Sequence, residues 1–385
     1  EQHYILCVLK VELHNIINLK KIMKKKISVK YFYNFKEDKR ISMETVANNL
    51  FINLKSKGNF KVSRFIPKFL NKNSKFITLP WNLRFNRYIN YPEQVKKLKK
   101  SDIGHIIDHQ YAHLVDSLNC KYKIITVHDV IPLIFKKKIG KNPILVKHSL
   151  SYLKKFDIVI AVSSNTKNDI LKYTDCPPQK IIVLPNSVEK FFNQKKINKK
   201  TVTKKYNIPI KSFRVLIIGS SFYKNHKISL KVLEELKKKY NNIYFLKIGN
   251  KFDFKIKKSL ENSIIQLPKL KRQEISKIYK ISDAVLFPSL YEGFGLPLLE
   301  AIKSGVPIVC SNLKVLKEII KTEKFMTNPD NFKQFSKLLI KIFEDHKERQ
   351  RFVQFNLKNS KIFDEKLYFK KLSTIYTNLV KKTDQ

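Results

Sequence analysis

The sequence predicts an α/β protein of two domains, each built on a mostly parallel sheet. Three observations carry this. The chain has 385 residues, long enough for two cores of roughly 150–200 residues each. From residue 27 onward, short β-branched runs alternate with amphipathic stretches, the pattern of successive βαβ units. Between residues 188 and 211 the chain turns polar and Lys-rich, and after Pro209 the same grammar begins again. Hydrophobic residues make up 43% and aromatics 12%, enough apolar side chain to fill two cores rather than leave the chain disordered.

The first convincing strand is 27–32, Ile-Ser-Val-Lys-Tyr-Phe, entered directly after Met23 and three lysines. Upstream, Lys10, Glu12 and His14 interrupt residues 4–19, too polar a run for the apolar core of a signal peptide. Residues 1–22 are therefore read as a leader, and a chain lacking them is expected to keep its solubility and activity. Met43, Val46, Ala47, Leu50, Phe51 and Leu54 recur at helical spacing, with Gly58 just past the helix end. Further strands are expected at 60–66, 103–107, 124–127, 158–162 and 181–184, which completes a first domain over 23–190. Residues 191–211 read as a linker. The second domain, 212–364, is expected to hold strands 213–218, 243–248, 284–287 and 307–310, and helices 229–240, 273–281, 297–303 and 331–344. A last amphipathic helix occupies 365–380, in a closing segment 365–385. No solenoid repeat and no Gly/Ser-rich tract interrupts this plan.

The formal net charge is +47, from 78 Lys+Arg against 31 Asp+Glu. A basic nucleic-acid-binding module is the rival reading that this charge raises. The cations are nearly all Lys and are spread along the whole chain, whereas base readout and phosphate gripping favour clustered Arg. Tyr31, Phe32, Tyr33 and Phe35 could stack bases, but they fall on an expected strand and read as core. An anionic membrane surface is the partner the charge still suits, through Lys96, Lys97, Lys99, Lys100, Lys136, Lys137 and Lys138. Cys7, Cys120, Cys176 and Cys310 lie far apart without a Cys-x-x-Cys pair, so they frame neither a metal site nor a disulfide set, and a reducing compartment is expected. No uncharged apolar run approaches the ~18 residues of a membrane span. The expected location is cytoplasmic, peripheral on the inner face of the membrane.

The most informative segment runs Asp283-Ala-Val-Leu-Phe-Pro-Ser-Leu-Tyr-Glu292-Gly-Phe-Gly-Leu-Pro-Leu-Leu-Glu300-Ala-Ile-Lys-Ser-Gly305-Val-Pro-Ile-Val-Cys-Ser-Asn312. A buried strand ends at Phe287, a loop carries Gly293 and Gly295, Pro297 suits a first helical turn and Gly305 a helix exit. Strand, glycine loop and helix make a ready anion site at the strand's carboxyl end. Glu292 and Glu300 are eight positions apart, about 12 Å along an axis if both were helical. That is wider than the roughly 5–9.5 Å between the paired carboxylates of a hydrolase. The spacing suits two ends of one long ligand such as a nucleotide sugar.

This string resembles the family 4 (group 1) retaining glycosyltransferases, whose hallmark is Pro-Ser-x-x-Glu-Gly-Phe-Gly-Leu-Pro-x-x-Glu-Ala. Residues 288–301 match it throughout. The resemblance implies that Glu292, with Gly293, Phe294, Gly295 and Leu296, holds the donor sugar, and that Glu300 binds the ribose. Gly219-Ser-Ser-Phe-Tyr-Lys224-Asn225-His226 matches the family's strand-to-helix turn, in which Gly219 and Lys224 serve the diphosphate. Tyr223 stands where the family often has Arg, and Lys227 is the expected substitute for that second cation. Thr126-Val-His128-Asp129-Val-Ile-Pro132 resembles the His-Asp-x-x-Pro signature of mannosyl- and related transferases. It implies His128 beside the transferred sugar and Asp129 supporting the loop, and it points to mannose. The segments 162–169, with Ser163, and 184–188, with Asn186 and Ser187 in place of the usual Gly, match strand ends that shape the cleft.

The resemblance implies a GT-B architecture, two Rossmann-like domains facing a cleft, with acceptor on the first domain, donor on the second, and the final helix crossing back to the first. It implies a retaining hexosyltransferase that uses a nucleotide-diphosphate sugar, with a glycan or lipid-linked molecule as acceptor. No cofactor and no metal are expected: the sequence has no Asp-x-Asp pair of the metal-binding kind, and His3, His14, His105, His109, His113, His148 and His346 are scattered. It also has no phosphate-binding Walker string, His-Glu-x-x-His or Gly-x-Ser-x-Gly. An inactive scaffold of the same fold is the remaining alternative, and the intact Glu292, Glu300 and Lys224 argue against it.

Overall fold

A computed structural model describes residues 26–38, 40–70, 79–135 and 143–381. Residues 1–22 and three lysines of the expected membrane patch, Lys136, Lys137 and Lys138, lie outside them.

Two six-stranded sheets form, and every strand pairing in both is parallel. The first contains β1 (Ile27–Phe32), β2 (Phe60–Phe65), β3 (Ser101–Ile106), β4 (Cys120–Val127), β5 (Ile158–Ala161) and β6 (Ile181–Val183), in the order β2-β1-β3-β4-β5-β6. The second contains β7 (Phe213–Ile218), β8 (Ile243–Ile248), β9 (Ile264–Gln266), β10 (Ala284–Phe287), β11 (Ile308–Ser311) and β12 (Met326–Thr327), in the order β12-β11-β10-β7-β8-β9. Central strands such as β10, Ala-Val-Leu-Phe, are buried at every residue, as expected of parallel strands covered by helices on both faces.

In each sheet the chain leaves the first strand in one direction and later returns to its other side. β1 lies between β2 and β3, and β7 between β8 and β10. Such a reversal opens a crevice at the carboxyl ends of the strands on either side of it. In the second sheet those ends are Gly219, after β7, and the loop after Phe287.

The stretch read as a linker, 191–211, contains a helix, Lys199–Lys205. Its lysines give it a polar composition, but Phe192, Val202 and Ile208 are buried in the second domain's core. At the other end, helix His346–Asn359 is followed by Phe363, which packs edge-on against Phe294 with ring centroids 5.8 Å apart. Helix Glu365–Lys381 then lies on the first sheet and buries Tyr368, Phe369, Leu372 and Tyr376 among residues of β1, β3 and β4. The Tyr376 hydroxyl meets His105 Nδ1 at 2.6 Å and the Tyr31 hydroxyl at 3.2 Å. Burial pushes the His105 imidazole down to about 3, so this closing contact is neutral at ordinary pH.

Candidate active site

β7 is followed by Gly219, whose φ of 105° lies in the left-handed region that glycine tolerates. After a single turn, Phe222–Lys224, Asn225 adopts φ 56° and starts helix His226–Lys237. The aliphatic stem of Lys224 lies against Gly219, where an added Cβ would meet Lys224 Cγ at 2.8 Å. The Lys224 ammonium reaches over the Phe287 ring, 4.9 Å from its centroid, to Glu292 Oε1 at 2.6 Å. The two side chains are only 12% and 8% exposed. Two residues 68 positions apart, one on each central loop of the second sheet, thus form one nearly buried ion pair.

The loop carrying Glu292 also touches the first domain. A Cβ on Gly293 would lie 1.9 Å from the His128 carbonyl oxygen, an approach that only glycine permits. The Gly293 carbonyl accepts hydrogen bonds from Ser163 Oγ at 2.6 Å and Thr166 Oγ1 at 2.9 Å. Ser163 also caps helix Ser164–Tyr173, accepting from the Thr166 amide. Next to these, the Tyr291 hydroxyl donates to Asp169 at 2.5 Å. The Glu318 carboxylate accepts from the amides of Ser164 and Asn165, both at 3.0 Å. A second-domain carboxylate therefore sits at the amino end of a first-domain helix, where the unpaired amides and the helix dipole favour it. The cleft is bridged on this side by five residues of the 162–169 segment and three of the second domain.

Glu300 lies in helix Leu296–Lys303 and is 2% exposed. Its Oε1 pairs with Arg272 at 2.6 Å and its Oε2 accepts from the Tyr279 hydroxyl at 2.8 Å. Burial raises the Glu300 carboxyl above its usual pKa, and Arg272 and Tyr279 pull against that. Arg272 in turn grips Glu189 with two parallel bonds, Nε to Oε1 at 2.9 Å and a terminal nitrogen to Oε2 at 2.7 Å. Burial pushes the Glu189 carboxyl up, but Arg272 outweighs it and holds the group below its usual value. One guanidinium thus ties the chain just after β6 to the helix that carries Glu300.

The other expected residues take varied places. His128 is buried, with Nε2 3.0 Å from the Ile107 carbonyl. Burial lowers its pKa, so the ring is neutral, Nε2 donates, and Nδ1 is left as the acceptor. Asp129 Oδ1 accepts from the Ile131 amide at 3.0 Å and so shapes its own loop. The Phe294 ring is in the second core, which leaves its backbone alone for a ligand. Gly295, φ 105°, starts the helix, Leu296 is half-buried, and Asn186 is half-buried on the loop after β6. Lys227, the expected second cation, is exposed with its ammonium over Phe254, 5.7 Å from the centroid.

Around Glu300, three residues escaped the sequence reading: Arg272, Tyr279 and Glu189. A signal for the first was present. Only eight arginines stand among the 78 basic residues, and a chain so biased toward Lys retains Arg where a planar fork is needed. Tyr279 is seven residues on from Arg272, two helical turns along the same face.

The family model for group 1 glycosyl transferases matches residues 198–358, and that for glycosyltransferase family 4 matches residues 58–190. The chain is similar to the serotype-specific mannosyltransferase WbdA of Escherichia coli, 26% identical over 235 residues. That match covers 57% of this chain and 29% of WbdA, so the chain spans less than a third of that relative's length. Among solved structures it is similar to sucrose-phosphate synthase from Thermosynechococcus elongatus, with a TM-score of 0.73 at 12% identity over 93% of this chain and 100% of the other. It is also similar to the Anabaena protein HepE in complex with UDP and glucose, TM-score 0.69 at 12% identity, covering 92% of this chain and 100% of HepE. At such identities these structures speak for the fold, two facing α/β domains of the GT-B type.

Proposed function

We propose that this chain, which belongs to the group 1 glycosyltransferases, transfers a hexosyl group from a nucleotide-diphosphate sugar to a glycan or lipid-linked acceptor, with retention of anomeric configuration. The observation that carries this reading is the separation of the two glutamates between different partners. Glu292 pairs with Lys224 on the loops after β7 and β10, whereas Glu300 is held by Arg272 and Tyr279 in the helix beyond. A donor laid along the crevice would place its sugar at Glu292, its diphosphate at Lys224 and its ribose at Glu300.

In this reading the transition state is oxocarbenium-like, and cationic side chains with loop amides, rather than a metal, take up the charge of the departing diphosphate. Each well-placed donor of that kind contributes roughly 2.7–4 kcal/mol, by analogy with an oxyanion hole. His128 Nδ1 would accept from a hydroxyl of the transferred sugar, with its ring fixed by the Ile107 carbonyl. The bridge between Gly293 and Ser163 excludes water from that end, which strengthens every charge interaction inside. Mannose is the proposed sugar, supported by the His-Asp-x-x-Pro segment and by the likeness to a mannosyltransferase.

Among the described residues no helix is long and apolar enough to cross a membrane. Lys96, Lys97, Lys99 and Lys100 are exposed on the first domain, and we place a lipid-linked acceptor's membrane on that face. A thermal-shift screen of nucleoside diphosphates and nucleotide sugars tests the donor reading, because a ligand that binds only the folded state raises the melting temperature. Selective stabilisation by one base, stronger with its mannose-bearing form, is the expected outcome. No stabilisation by any of them at millimolar concentration contradicts it.

A further inference from the structure

Lys247, the fifth residue of β8, is fully buried, and among the described residues no carboxylate pairs with its ammonium. Its neighbours are neutral: the Gly219 carbonyl, its own strand's Ile248 carbonyl at 3.1 Å, and the Phe252 ring 5.6 Å away. A buried ammonium without a counter-charge is costly. Burial accordingly lowers the Lys247 pKa to about 8. Such a group persists where an anion arrives to balance it.

The Gly219 carbonyl is where this charge meets the donor crevice. It accepts from Lys247 and from His226 Nε2 at 2.9 Å, and a Cβ on Gly249 would stand 2.8 Å from it. The oxygen is thus clamped inward from three sides. The peptide is trans, so the Ser220 N–H points the opposite way, toward the exposed side of the loop. Its neighbour Ser220 Oγ is fixed as well, accepting from the Asn250 amide at 2.7 Å. We propose that Lys247 is the second cation of the diphosphate site: it acts through the Gly219 peptide, aiming the Ser220 amide at the donor's phosphates and supplying positive potential from beneath the loop. This explains how the turn dispenses with an arginine at Tyr223 and why Lys227 is free to lie over Phe254. The proposal rests on the donor reading above.

Lys247 is a positioning residue, so its test separates the phosphates from the base. Lys247→Met removes the charge and keeps the length, and Lys247→Gln keeps a donor without the charge. Each full-length variant is titrated with UDP and GDP and with uridine and guanosine, and its melting temperature is measured as a check on folding. The expected result is that both variants melt no lower than the parent, bind the nucleoside like the parent, and bind the matching diphosphate about tenfold more weakly. In the parent, diphosphate affinity should fall as pH rises through about 8 to 9, and Lys247→Met should abolish that dependence. The other titratable groups facing this pocket are His226, Lys224 and Asp253; His226, lowered to about 4 by burial, is neutral across that range. Equal losses for nucleoside and diphosphate, or no loss for either, overturn the role of Lys247. A parent that binds no nucleoside diphosphate overturns the donor reading itself.

Discussion

Lys224 Nζ lies 2.6 Å from Glu292 Oε1, and between them these two residues join the loops that follow β7 and β10. Without a donor each neutralises the other. In the proposed reading, a donor's diphosphate would replace Glu292 at Lys224, and its sugar hydroxyls would replace Lys224 at Glu292. Replacing either residue alone strands a nearly buried charge, at a cost of roughly 1.5–3 kcal/mol, the range for a charge-assisted hydrogen bond. Urea unfolding of Lys224→Met, Glu292→Leu and the double variant should give a double that is clearly less destabilised than the sum of the singles. Simple additivity would mean that the pair does not interact.

Gly293 closes the cleft because it has no side chain to keep the His128 backbone away. In Gly293→Ala the new methyl meets a backbone oxygen at 1.9 Å, which cannot swing aside as a flexible side chain can. The bonds from Ser163 and Thr166 should break, at about 1–3 kcal/mol for an overpacked contact. Small-angle scattering should show a larger radius of gyration, and turnover should drop with nucleotide affinity kept. Unchanged scattering and turnover would show that this contact does not hold the domains together.

Arg272 serves two carboxylates at once, and a lysine there cannot reproduce the fork that grips Glu189 while reaching Glu300. Arg272→Lys should therefore weaken nucleoside diphosphate binding about tenfold, ~1.4 kcal/mol, by loosening Glu300. Calorimetric titration checks this. Parent-like affinity in the Lys variant would limit Arg272 to joining the domains.

The buried Lys247 ammonium also makes stability depend on pH in a stated direction. Its pKa is lowered to about 8 in the fold, from an ordinary value of 10.5. Between those values the unfolded chain holds more protons than the folded one, so unfolding becomes less favourable as pH rises through that window. Relative to Lys247→Met, the parent's melting temperature should climb from pH 8 to 10.5 and level off beyond. A constant difference across that range would contradict a titrating Lys247.

The parallel strands were legible because they are written as short, mostly apolar and β-branched runs between polar stretches. β1, β7, β8 and β10 begin and end where periodicity puts them. β9 and β12 did not register, being three and two residues long with no room for a pattern. Helix His226–Lys237 starts three residues before its expected position because Asn225 takes a left-handed conformation, which sequence spacing does not reveal. Within the candidate site, Glu292, Glu300 and Lys224 stood out through one contiguous motif and one turn. Glu189 and Lys247 did not. Glu189 matters only through Arg272, 83 positions away, and a single lysine in a Lys-rich chain carries no signal until its burial is known.

In the proposed function, Glu292 and Glu300 grip opposite ends of one donor. The most direct test titrates Glu292→Ala and Glu300→Ala with nucleoside diphosphate and with nucleotide sugar, then measures turnover at saturating donor. Glu300→Ala should lose roughly ten- to a hundredfold in affinity for both ligands, about 1.5–3 kcal/mol, with turnover at saturation largely kept. Glu292→Ala should bind the nucleoside diphosphate like the parent and lose a comparable factor in turnover. If both folded variants bind and turn over like the parent, or if each loses the other's function, the donor does not lie along the crevice as proposed.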